Sequence, residues 1–146
     1  MAAIDVPTSS KRLDSDRRQP EETPPTLQGD LVAVVDDDKW IRDSLARFLK
    51  STGFGVETFD SAEDYLQHGD RNNTACIILD VRLPKMNGFD LERQLANEHC
   101  RVPIVFMSAH DESEMKRRAL QVGVVRFLRK PIHDESLLEA VYSALK

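Results

Sequence analysis

The sequence is poor in most features that place a chain in a class at once. Its 146 residues include two cysteines, Cys76 and Cys100, too few for a disulfide framework. Cys76 sits inside an apolar run and reads as a small core residue. Apolar runs such as Leu31–Val35 and Pro103–Met107 fall far short of the about 20 residues that cross a bilayer. No apolar stretch at the start has the pattern of a secretion signal. There is no basic excess, since the formal net charge is −5, which gives no support for wrapping around nucleic acid. The four histidines, His68, His99, His110 and His133, lack metal-ligand spacing and read as surface residues. What remains is a cytoplasmic chain, with no membrane or direct nucleic-acid partner expected. Its length and 40% hydrophobic content suit a single packed domain.

Residues 1–30 differ from the rest. They carry Pro7, Pro20, Pro24 and Pro25 among serines and mixed charges with no apolar period, the composition of a disordered tail. From Leu31 to residue 146 the chain alternates short apolar runs with amphipathic ones. Leu31–Val35 reads as a strand buried on both faces. Trp40–Lys50 places Ile41, Leu45, Phe48 and Leu49 on one helical face, and Gly53 closes that helix. Gly55–Phe59 is a second strand, and Ser61-Ala62-Glu63-Asp64 has the spacing of a capping box. Thr74–Leu79, Pro103–Met107 and Val124–Leu128 are further strands. Helices are expected over Phe89–Glu98, after Asp111 with Met115, Ala119 and Val122 on its inner side, and from Asp134 to Leu145. Five β-α repeats with short loops predict an α/β fold, a parallel sheet covered on both faces, and right-handed crossovers leave few topologies.

The polar residues that follow the strands carry the chemistry. Strand one runs into Asp36-Asp37-Asp38, strand three into Asp80, strand four into Ser108, and strand five into Lys130-Pro131. In a parallel sheet these groups gather at one edge. Open sheets bind ligands there, where strand order reverses, and with order 2-1-3-4-5 that point lies between strands one and three. Asp36, Asp37 and Asp80 would crowd like charges together, which calls for compensation. An all-oxygen site with room for waters suits Mg²⁺, with Mn²⁺ as an alternative. Lys130 adds a second positive charge and Ser108 a hydroxyl. A cation, an ammonium and a hydroxyl around one carboxylate suit phosphoryl transfer, and a carboxylate nucleophile that forms an acyl phosphate is established chemistry.

Four segments then become recognisable together: Val34-Val35-Asp36-Asp37-Asp38, Leu79 to Gly88, Pro103 to Ala109, and Phe127-Leu128-Arg129-Lys130-Pro131. In this order and spacing they resemble the signature of two-component response-regulator receiver domains, over about residues 31–146. The resemblance implies a flavodoxin-like (βα)5 fold. It makes Asp80 the phospho-acceptor, with Lys130 and Ser108 as its catalytic partners, and Ser108 and Phe127 the switch pair. Asp37 would hold Mg²⁺ directly and Asp36 directly or through water, beside Asp80 and the backbone carbonyl of Arg82. A cis Lys130-Pro131 bond is expected. Arg82 and His110, each two residues beyond a site residue, are expected to tune the lifetime of the acyl phosphate. Asp38 reads as a helix cap, and Trp40 as a partly exposed first-turn residue.

The resemblance further implies a phosphorylation-activated switch rather than an enzyme acting on other substrates. Its phosphoryl donor would be a sensor histidine kinase or a histidine phosphotransfer protein. Its output would pass to a protein target or a homodimer, through the face formed by the helix before strand five, strand five itself and the last helix. Lys116, Arg117, Arg118 and Arg126 lie opposite Asp134 and Glu135 on that face. The chain is either a single-domain regulator or a piece of a longer one. One rival is a phosphatase with an aspartate nucleophile, but such enzymes carry a second acid two residues on, where this chain has Arg82. The other is a degenerate receiver that only binds, which predicts missing site residues, and none is missing.

Overall fold

The computed structural model describes residues 29–109, 113, 117, 121 and 126–146. Five strands form one parallel sheet in the order β2-β1-β3-β4-β5. They are β1 (Leu31–Val35), β2 (Gly55–Phe59), β3 (Thr74–Asp80), β4 (Ile104–Ser108) and β5 (Arg126–Arg129). Helices α1 (Lys39–Ser51), α2 (Ala62–His68) and α3 (Gly88–Asn97) connect the first four strands, and a C-terminal helix spans Asp134–Ala144. The order is the one expected from the sequence, and it puts β1 and β3 side by side at the centre.

Alternation along the central strands builds two cores. Val32 and Val34 of β1, Cys76 and Ile78 of β3, and Val105 and Met107 of β4 face Leu45 and Leu49 of α1 and Leu137 and Val141 of the C-terminal helix. Ala33, Val35, Ile77, Leu79, Ile104 and Phe106 point the other way, onto Tyr65 of α2 and Leu91 and Leu95 of α3. Each large apolar side chain so buried contributes on the order of 1.5–3 kcal/mol. The continuous apolar spelling of these strands follows from having no solvent face. Cys76 is wholly inside, and burial pushes its thiol up to about 12.

The helix ends are set by side chains. Asp38 accepts from the backbone of Trp40 (2.9 Å) and starts α1, and Ser61 Oγ accepts from Asp64 N–H (3.0 Å) to start α2. Asn87 and Asp90 form a reciprocal capping box at α3. Gly53, just past α1, adopts φ +101°, which suits a residue without Cβ.

Several boundaries differ from the sequence reading, among them the end of β5, at Arg129 instead of Leu128. β3 runs one residue further, to Asp80, and β4 covers Ile104–Ser108 instead of Pro103–Met107. Both site residues are therefore the last residues of their strands rather than the first of a loop. The ladder explains this, because Asp80 pairs with Met107 and the N–H of Val81 still donates to Met107 (2.9 Å). The packed unit also starts before Leu31. Gly29 N–H donates to the Gly53 carbonyl (2.8 Å) and Gly55 N–H to that of Asp30 (3.0 Å). Residues 1–28, His110, Met115, Lys116, Arg118, Ala119, Val122, Val124 and Val125 lie outside the described residues, while Ser113, Arg117 and Gln121 are helical. No described helix is long and apolar enough to cross a membrane.

Candidate functional site: an acidic cluster with one ammonium

The carboxyl ends of β1 and β3 lie next to each other, so Asp36 and Asp80 meet. Asp36 is fully buried and Asp80 is 5% exposed, whereas Asp37 faces solvent. One carboxylate oxygen from each of Asp36, Asp37 and Asp80 lies within 4.8 Å of the others.

Lys130 enters from beyond β5. Its Nζ lies 2.7 Å from Asp36 Oδ2 and 3.1 Å from Asp80 Oδ2. The backbone aims it, since Lys130 N–H donates to the Ser108 carbonyl (2.8 Å). The next peptide, Lys130-Pro131, is cis, as expected. Asp80 Oδ1 accepts from Arg82 N–H at 3.0 Å, so both acceptor oxygens are oriented. Asp36 Oδ1 takes the Asp38 N–H (2.8 Å), and the Asp36 carbonyl takes the Arg42 guanidinium (2.8 Å).

The electrostatics follow from this crowding. Burial, and then the Asp36 charge, push the Asp80 carboxyl above its usual range, while the Arg82 N–H and Lys130 partly offset them. Burial pulls the Lys130 ammonium down, but the Asp36 and Asp80 carboxylates outweigh it and hold its pKa above the ordinary lysine value. Among the described residues, one ammonium touches two of the three carboxylates, while the Arg42 guanidinium bonds the Asp36 main chain rather than a carboxylate. The donors are hard oxygens, and a cleft of about 340 Å³ lined by Asp37, Val81, Arg82, Leu83, Pro84 and Asn87 opens beside them. Such a set fits a hydrated divalent cation of the Mg²⁺ type.

Ser108, at the end of β4, is fully buried. Phe127 in β5 is half-buried and packs on the α2–α3 core, its ring centroid 6.4 Å from that of Phe106. The Arg82 side chain is exposed. Trp40 is 85% exposed, more open than the sequence suggests. His68, His99 and His133 are all exposed.

Sequence reasoning did not single out two residues that hold the site. Arg42 clasps the Asp36 carbonyl from the first turns of α1. Glu63 of α2 accepts from Met86 N–H (3.1 Å) in the loop after Asp80. Neither bond leaves a local signature, because each partner is a backbone group on another element.

Comparison with known proteins agrees with this geometry. Residues 32–142 match the response regulator receiver domain family. The chain is 39% identical over 116 residues to the response regulator protein TodT of Pseudomonas putida, covering 80% of this chain and 51% of that protein. It is 41% identical over 114 residues to nodulation protein W of Bradyrhizobium diazoefficiens, covering 78% and 50%. The chain thus spans about half the length of these curated relatives. Among solved structures, response regulator StyR matches with a TM-score of 0.74 and 42% identity, over 79% of this chain and 58% of that one. FixJ-N matches with a TM-score of 0.73 and 32% identity, over 81% and 94%. An aspartate-rich sheet edge on this fold, matched along most of its length, is that of a response-regulator receiver domain, and the chain belongs to that family.

Proposed function

We propose that Asp80 accepts a phosphoryl group from a phosphohistidine on a sensor kinase or phosphotransfer protein, and that the domain then signals by changing its surface. The observation that carries this is the Lys130 ammonium touching both Asp36 and Asp80 beside the third carboxylate, Asp37. Asp36, Asp37, Asp80 and the Arg82 carbonyl would hold Mg²⁺, or Mn²⁺ in its place. When bound, the cation supplies charge neutralisation for a phosphoryl group in flight.

The remaining chemistry belongs to the chain. An Asp80 oxygen attacks phosphorus, the P–N bond to the donor imidazole breaks, and an acyl phosphate forms. The Arg82 N–H and Lys130 orient the carboxylate before attack, and Lys130 then pairs with the transferred group. The added group carries close to two negative charges. Ser108 would donate its hydroxyl to that group, and Phe127 would follow into the space vacated. The modification biases two pre-existing arrangements of the domain. The domain thus promotes only its own phosphorylation and dephosphorylation.

The donor would dock at the sheet edge, where Trp40, Ile41, Ala109, Pro131 and Ile132 line an apolar groove that reaches Lys130. Output from a cytoplasmic receiver unit, through strand β5 and its flanking helices to a protein target or a second copy, completes the reading. Beryllofluoride with Mg²⁺ mimics the acyl phosphate and tests the switch. The amide resonances of Ser108 and Phe127 should shift in wild type and stay in place in Asp80→Ala. Shifts confined to Asp36–Asp38 would overturn the switch.

A further inference from the structure

We propose that Glu63 is a positioning residue for the divalent cation: from α2 it fixes the loop that follows the phospho-acceptor. The inference rests on the cation site of the proposed function.

The loop Val81–Asn87 contains Arg82, whose carbonyl is the proposed fourth protein ligand. Both ends of the loop are set by the fold. Val81 N–H donates to Met107 (2.9 Å), and Gly88 N–H closes back onto the Val81 carbonyl (3.0 Å). Gly88 is pressed so close that a Cβ there would lie 2.8 Å from the Asp80 carbonyl oxygen. Between these ends the chain turns at Lys85, a non-glycine residue at φ +63°, a conformation that surrounding structure must hold in place. The next N–H, that of Met86, points away from the loop and donates to Glu63 Oε2, 23 residues earlier and on another element. The half-buried Met86 side chain packs on the α2–α3 core at the same point.

Glu63 is available for this role because α2 is capped without it. Ser61 Oγ takes the Asp64 N–H, which leaves the Glu63 carboxylate free to reach out. A carboxylate is a stronger acceptor for an N–H than a neutral oxygen, and here it reaches Met86 N–H at 3.1 Å. The turn at Lys85 is thereby tied to a helix packed against the sheet. A loop held in this way presents its carbonyl with little reorganisation when the cation arrives, as outer partners do for ligands elsewhere.

Calorimetric titration with MgCl₂ on the full chain tests this, with Glu63→Ala and Glu63→Gln beside wild type. Glu63→Ala should bind Mg²⁺ about tenfold more weakly, the low end of the cost of losing an outer partner, and its Met86 amide should exchange faster with solvent. Glu63→Gln keeps an acceptor oxygen and should recover most of the affinity. Both variants lose the charge that favours the start of α2, so an effect exerted through helix stability would weaken both alike. Wild-type affinity in Glu63→Ala, or affinity in Glu63→Gln as weak as in Glu63→Ala, would overturn the role of Glu63 alone. Absence of Mg²⁺ binding by wild type would overturn the cation site itself, and this role with it.

Discussion

The Lys130 ammonium sits closer to Asp36, at 2.7 Å, than to Asp80, the proposed phospho-acceptor, at 3.1 Å. Lys130 is thus a counter-ion shared by Asp36 and Asp80. It stands 13% exposed against two buried carboxylates, and removal of one partner of such a group leaves uncompensated charge.

Lys130→Met should therefore destabilise the cation-free protein by about 1–3 kcal/mol, below the full cost of breaking a wholly buried pair. The sign follows from linkage. A lysine whose folded pKa is raised contributes stability that is present at neutral pH and is lost only as pH rises through that value. Mg²⁺ should stabilise Lys130→Met more than wild type, because the cation replaces the missing charge. Urea unfolding with and without MgCl₂ measures both effects, and an equal Mg²⁺ gain in the two proteins would refute the shared role.

Asp80 has the opposite linkage. Its folded pKa is raised, first by burial and then by Asp36. Its contribution to stability is present below the unfolded carboxylate value and is lost as pH rises through the folded one. Ionised Asp80 is thus a net cost at neutral pH. Asp80→Asn should be more stable than wild type at pH 7 in the absence of cation, and the gain should shrink as pH falls through the raised folded pKa towards the ordinary carboxylate value, below which it is gone. Thermal unfolding across pH checks this, and a gain that grows on acidification would contradict it.

Gly88 is required by close approach. A Cβ there would meet the Asp80 carbonyl oxygen at 2.8 Å and both the Phe106 ring and Val81 Cα at 3.0 Å. Two of these neighbours are backbone and cannot yield cheaply. Gly88→Ala should cost about 1–3 kcal/mol, the range for overpacking, and should slow phosphorylation because the displaced strand end carries Asp80. Urea unfolding and a phosphorylation time course would read the two effects.

Much of this was legible in the sequence because it is written in local patterns. The apolar spelling of β1, β3 and β4 gave the buried parallel sheet, and Asp38 was readable as a cap from its place before an amphipathic run. The strand ends at Asp80 and Ser108 were misjudged by one residue, because a polar residue at the end of a strand looks like the start of a loop. The Asn87–Asp90 capping box was hidden behind the stronger turn signal of Pro84 to Gly88. The Arg42–Asp36 and Glu63–Met86 bonds could not be read at all. In each, a side chain meets a main-chain atom of another element, and no residue type records its partner.

In the proposed function one carboxylate, Asp80, takes the phosphoryl group with the help of a divalent cation. Intact mass after treatment with acetyl phosphate and Mg²⁺, on wild type and Asp80→Asn, measures it directly. Wild type should gain the mass of one phosphoryl group and lose that gain when the cation is chelated beforehand, while Asp80→Asn should gain nothing. An equal gain in both proteins would place the acceptor elsewhere and contradict the assignment.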